Sequence, residues 1–174
     1  MFIRAMLITF RLIHILAGAF WAGTAIFTVL FLIPSMRALG PAGAPFVQHL
    51  TQVRKLPIFF LGAGILTVLS GIGLYSRASG GFSNQWMRSG PGMTFGIGAV
   101  FALSAVIVGM FVTAPTAKRA AALGATLASA GRPPAPEQQA EMQRLQARLG
   151  MASVLATSLV VLATAAMAVA RYIP

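Results

Sequence analysis

Two ionisable side chains, Arg11 and His14, stand inside the apolar run 6–33, which is long enough to be a membrane helix. Such a group at hydrocarbon depth costs about 2.5–3.5 kcal/mol on insertion scales, so it usually turns toward neighbouring helices and marks a binding or transfer site. Steps of three and four residues place Arg11, His14, Gly18, Trp21 and Ala25 on one helical face. Glycine one turn beyond an imidazole makes room for a flat macrocycle, and a nearby arginine can pair with its propionates. Neutral imidazole is also a common metal ligand. The chemistry on offer is ligation of haem b, with His14, Arg11, Gly18 and Trp21 around the cofactor, or of a metal ion with His14 as the metal ligand. The other reading has His14 as a structural or proton-handling group, hydrogen-bonded to a neighbouring carbonyl or hydroxyl such as Thr164.

A second ligand is harder to find. His14 lies about five turns before Pro34, whereas His49 precedes the second apolar run, so the two are separated by roughly 20 Å or more along the membrane normal. They cannot share one haem, and His49, beside Arg54 in an amphipathic loop, reads as a solvated interfacial residue. At the depth of His14 the options are Met167 on the last helix, the same histidine of a second copy, or an open sixth position. Met167 is also one of nine methionines, a residue type that often fills gaps. The only carboxylates, Glu137 and Glu141, fall far from His14, and no Ser/His/Asp set, phosphate-binding glycine loop or multi-histidine spacing occurs. The balance leans away from an enzyme.

These residues need a membrane scaffold, and the composition supplies one. Of 174 residues, 57% are hydrophobic and 9% charged, against roughly 25% charged in soluble globular domains. Four apolar runs, 6–33, 57–75, 93–114 and 151–173, have the length of about 20 residues that crosses a core of roughly 30 Å. The expected fold is all-α, a single domain (1–174) forming a polytopic membrane four-helix bundle. The first run is too long and too interrupted for a signal peptide, whose apolar region is about 7–15 residues. The absence of cysteine removes disulfides, thiolate metal sites and iron–sulfur ligation.

Thirteen Lys and Arg against two Asp and Glu give a net charge of +11. Arg37, Arg54, Lys55, Lys118, Arg119, Arg132, Arg144 and Arg148 follow the first and third runs, while Arg4, Arg77, Arg88 and Arg171 lie on the opposite side. The positive-inside rule makes the richer loops cytoplasmic and puts both termini outside. Cations spread over several loops, with no aromatic-lined basic surface, point to anionic lipid headgroups as partners rather than nucleic acid.

Pro34 reads as a helix stop, followed by the turn-prone Gly40-Pro41-Ala42-Gly43 and a short amphipathic helix carrying Phe46, Val47, Leu50 and Val53. The loop 76–92 reads as irregular, with Trp86 an interfacial anchor. Past Pro115 the third helix continues over 116–130, and after the breaker Gly131-Arg132-Pro133-Pro134 the fourth begins at Pro136, with Glu137 in its first turn. Running to Tyr172, it would be about 55 Å long and exceed the membrane. Helices 3 and 4 are therefore expected to extend into a cytoplasmic helical hairpin over about 116–150, with Met142, Leu145 and Leu149 facing Leu123 and Leu127. Packing stripes of small residues are expected at Gly64, Thr67 and Gly71; at Gly98, Ala102, Ala105 and Gly109; and at Ser153, Thr157, Thr164 and Ala168. Such surfaces suit a homodimer or a place in a larger membrane complex.

The run RLIHILAGAFWAG, with His14, Trp21 and Gly23, resembles the opening helix of bacterial copper-resistance D (CopD-type) membrane proteins. RKLPIFFLGAGILTVLSGIGLY looks like the Gly-rich second span of that family with the basic residues that precede it. The same His-to-Trp spacing is similar to that of HemJ-type proteins, small four-helix haem proteins whose first-helix histidine is an axial ligand. The likeness covers roughly the first 75 residues and implies an axial role for His14. The chain departs from these patterns in having no lysine inside its later spans for a second HemJ-type ligand, and no further intramembrane histidine for a copper path. Two functions are expected from different classes. One is haem b or copper binding in electron transfer or metal handling. The other is a cofactor-free accessory or scaffold subunit of a larger membrane complex.

Overall fold

The computed structural model describes residues 2–131 and 133–174; Arg132, counted above among the loop cations, lies outside them. Among the described residues four helices are long and apolar enough to cross a membrane: α1 (Arg4–Leu39), α2 (Leu56–Ala78), α3 (Gly90–Ser129) and α4 (Pro136–Tyr172). The chain is thus an all-helical, multi-pass membrane protein by length and composition. Its burial pattern is that of a protein solvated by hydrocarbon. Leu16, Phe31, Phe59, Leu69 and Phe111 point outward, while the interior is built from Ala63, Gly64, Thr67, Gly98, Ala102 and Ala105. Lipid tails are as apolar as leucine, so close backbone approach, rather than exclusion of water, holds such helices together.

The helices pair in sequence order, α1 on α2 and α3 on α4, with lesser contacts from α1 to α4 and from α2 to α3. Trp21 is 5% exposed and crosses Gly64, where a Cβ would come within 3.2 Å of the indole; it meets Phe60 edge-on at 6.4 Å. At Gly98 of α3 the same kind of notch receives Met167 and the backbone of Ala163. Thr157 of α4 donates to the Ala25 carbonyl of α1 at 3.4 Å, and this pairing, with that of Arg37 and Gly150, makes α1 and α4 antiparallel. Both termini therefore lie at one end of the helices.

Pro34 does not stop α1. The turn before it widens to a π turn, Thr28–Leu32, in which the N–H of Ile33 reaches the carbonyl of Thr28, five residues back. Proline lacks an N–H and its ring crowds the carbonyl four residues earlier; one wide turn relieves that crowding and lets the helix run on to Leu39. The device recurs in α3, where Gly109–Thr113 is a π turn, Ala114 donates to Gly109, and Pro115 follows. Turn and proline stand in the same register in both helices. With the pairing of α1 to α2 and α3 to α4, this gives the chain two similar halves.

The remaining expectations meet mixed outcomes. The fourth helix does begin at Pro136 with Glu137 in its first turn, after a left-handed Gly131 (φ +58°). Leu145 is buried, Met142 approaches Gly124, and Leu123, Leu127 and Leu149 are half-buried, so this part of α4 lies along α3 beyond Pro115. The 76–92 segment is more ordered than expected. It contains a helical turn, Asn84–Met87, and Trp86 packs inward, edge-on to Tyr75 at 5.3 Å and stacked on Phe95 at 6.5 Å. On α4 the buried line is Ala152, Val160 and Ala163, whereas Thr164 and Ala168 are exposed. The Thr164 hydroxyl donates to the carbonyl of Val160, four residues back, and so is satisfied without a neighbouring helix. The segment 44–53 splits into Ala44–Gln48 and a π turn, His49–Val53, with Phe46, Val47 and Val53 exposed and Leu50 half-buried.

Gly64→Val should cost about 1–3 kcal/mol by overpacking against Trp21. Gly62→Val, two residues away with nothing within 4 Å of its Cβ position, should be neutral to within about 0.5 kcal/mol. Equilibrium unfolding in mixed micelles checks this; equal costs at the two positions would contradict the packing described.

Candidate functional site

The imidazole of His14 lies in the seam between α1 and α2. Its Nδ1 is 2.8 Å from the backbone carbonyl of Thr67 and 3.4 Å from the hydroxyl oxygen of Ser70. The Ser70 hydroxyl gives its own proton to the Leu66 carbonyl, so toward His14 it can only accept. Both neighbours of Nδ1 are thus acceptors. The proton must sit on Nδ1, and in the neutral ring Nε2 then carries the lone pair. A backbone carbonyl holding one ring nitrogen in this way is the arrangement that orients histidine ligands of metals.

Gly71 makes the fit possible. A Cβ built there would lie 2.9 Å from Cε1 and 3.2 Å from Nδ1 of the ring, but 3.9 Å from Nε2. The Nδ1–Cε1 edge therefore faces α2, and Nε2 is the nitrogen further from it. Among the described residues no buried side-chain nitrogen or oxygen lacks a hydrogen-bond partner, and Nε2 makes no hydrogen bond. His14 being half-buried, Nε2 is not sealed in the protein.

The other residues of the constellation divide. Gly18 faces α2, where Thr67 Cγ2 is 3.4 Å from its Cβ position, so the space expected beside it for a macrocycle holds Thr67. Trp21 and Ala25 are core residues of the α1–α2 and α1–α4 contacts. Arg11 is exposed at the surface of the helices rather than turned inward with His14. Met167 is at the depth of His14 by the antiparallel pairing of α1 with α4, yet its Cγ packs into the notch at Gly98. Thr164 is not the partner of His14, since it bonds within its own helix. His49 is exposed in its π turn, well away from the seam. Among the described residues no three His, Cys, Asp or Glu side chains gather as a metal-sized group. The described cavity, lined by Val29, Arg37 and Met151, is also distant from His14.

Comparison with family models, curated proteins and solved structures finds no match to this chain.

Three residues that position His14 come from α2: Thr67, Ser70 and Gly71. Their signal in the sequence is a hydroxyl-rich, small-residue step of three and four inside an apolar run, TVLSG. Two of the three stand out as a packing stripe, and nothing in the sequence pairs that stripe with His14 rather than with another helix.

Because His14 and the notch at Gly71 form one contact, their substitutions should not add. His14→Ala should cost about 0.6–2 kcal/mol, the range for an interhelical hydrogen bond in a membrane. Gly71→Ala should cost a similar amount by displacing the ring. A double-mutant cycle should then give a coupling of at least about 0.5 kcal/mol; strict additivity would mean that the ring does not sit there.

Proposed function

We propose that this chain is a four-helix membrane protein that binds haem b through Nε2 of His14, with a role in electron transfer. The observation that carries the proposal is the bond from Nδ1 to the Thr67 carbonyl, which leaves Nε2 unprotonated and unpartnered at membrane depth. A lone imidazole suits a haem, whose porphyrin brings four donors of its own, better than a copper ion, which needs several protein donors. Copper handling is the weaker form of the same reading. Bound haem would supply a one-electron couple at its iron; the chain supplies the oriented ligand and the exposed Arg11, one turn from His14, as a partner for a propionate.

Thr67 fills the space beside Gly18 and Met167 packs at Gly98, so His14, with Arg11 beside it, would hold the group. The likeness to CopD-type and HemJ-type first helices, carried by His14, Trp21 and Gly23, supports the same assignment. The loop cations support an orientation with both termini outside and the stretch 116–150 as a cytoplasmic hairpin, and the first-helix likeness supports a bacterial inner membrane.

One observation favours a second reading. The glycines that could open a cofactor pocket are already occupied, Gly18 by Thr67 and Gly71 by His14, as in a self-contained packing module. In that reading the chain is a cofactor-free accessory subunit whose exposed apolar surface joins a larger membrane complex.

Absorption spectroscopy separates the two. Protein purified in detergent from haem-replete cells should show a Soret band, lost in His14→Ala and kept in His49→Ala. A colourless protein that stays colourless on addition of haem, while remaining folded, would overturn the haem assignment and favour the accessory subunit.

A further inference from the structure

At the end of the helices opposite the termini, α1 and α4 part to leave a cavity of about 580 Å³, open to the surroundings. Its walls are apolar, with Val29 and Ile33 from α1 and Met151 and Val154 from α4. Val29 belongs to the π turn Thr28–Leu32, so the widened turn that lets α1 pass Pro34 also forms part of this wall. At the mouth stands Arg37. Its guanidinium lies over Gly150, with one Nη 3.0 Å from the Cβ position of that glycine, and a larger residue there would push the cation aside.

The charge at this mouth is one-sided. Arg144 lies on the face of α4 that continues the cavity wall, and Arg148 flanks it. The nearer of the two carboxylates of the chain, Glu141, is one turn from Arg144 but more than two turns beyond Gly150 along α4, so it offsets Arg144 and leaves Arg37 without a nearby carboxylate on that helix. An apolar groove of about 580 Å³, with a guanidinium at the level where the apolar segment ends, matches a lipid whose headgroup is a phosphate diester with net negative charge. We propose that this groove is a binding site for one anionic phospholipid, its chain between α1 and α4 and its phosphate on Arg37.

Native mass spectrometry of the detergent-purified full chain tests the site, using phosphatidylglycerol and phosphatidylcholine with identical acyl chains. The first phosphatidylglycerol should bind about fivefold or more tighter than phosphatidylcholine, the effect of one cation on an anionic headgroup. Arg37→Gln should remove that preference, whereas Arg37→Lys and Arg88→Gln, the latter at the opposite end, should keep it. Val154→Trp, which fills the slot and leaves Arg37 in place, should abolish the tight site for lipid; it carries the test if Arg37→Gln does not fold. Equal affinity for the two lipids, or a preference that survives Arg37→Gln, would overturn the proposal. So would displacement of the lipid by millimolar inorganic phosphate together with unchanged binding in Val154→Trp, which would reveal a bare anion site.

Discussion

Hydrocarbon offers no hydrogen bonds, and the arrangement of α1 on α2 follows from how this chain meets that constraint at His14. The imidazole makes no hydrogen bond on its own helix. It reaches instead to the Thr67 carbonyl of α2, and it can do so only because Gly71 has no side chain and Gly18 admits Thr67. Hydrogen bond, notch and tautomer are one interaction. The same contact that fixes the helix pair also decides which ring nitrogen is left available, and so ties packing to any chemistry at the site.

Elsewhere the architecture depends on surfaces without chemistry. Gly64 beneath Trp21 and Gly98 beneath Met167 are two further places where a large side chain crosses a glycine of the paired helix, as Phe10 also does at Gly73. One lies in the α1–α2 half and one in the α3–α4 half, and each half opens with a helix that carries a π turn before a proline. The halves differ where it matters. The first contains His14 in its seam, whereas the second presents Phe95, packed on Trp86, in the corresponding turn of α3. The seam imidazole belongs to the first half alone.

Much of this was legible from residue order. Four spans, the start of α4 at Pro136 and the face shared by His14, Gly18 and Trp21 all follow from apolar length and helical periodicity. The partner of that face did not. Periodicity gives a direction on one helix, but the choice among Thr67, Thr164 and Met167 depends on which helices pair, a long-range property that small residues on every span leave undecided. Pro34 misled because its local cost is absorbed by a π turn, which leaves no clear mark in composition. Arg11 misled for a different reason: near the end of a helix a long side chain can reach headgroups, so sharing the broad face of His14 does not oblige it to turn inward. In the alanine-rich part of α4 every face is small, and only contact with Gly98 selects Ala163 over Thr164 and Ala168.

The central claim, that α2 fixes the proton of His14 on Nδ1 and leaves Nε2 as a lone-pair donor, has a direct spectroscopic readout. Solid-state NMR of protein in lipid bilayers, labelled with ¹⁵N in its histidine rings and assigned with His49→Gln, reports the protonation of each ring nitrogen. At neutral pH, without added haem, the account requires a protonated resonance for Nδ1 and an unprotonated one for Nε2 in His14. The opposite tautomer, or rapid averaging of the two nitrogens as in a solvated ring, would show that the Thr67 carbonyl does not hold the imidazole.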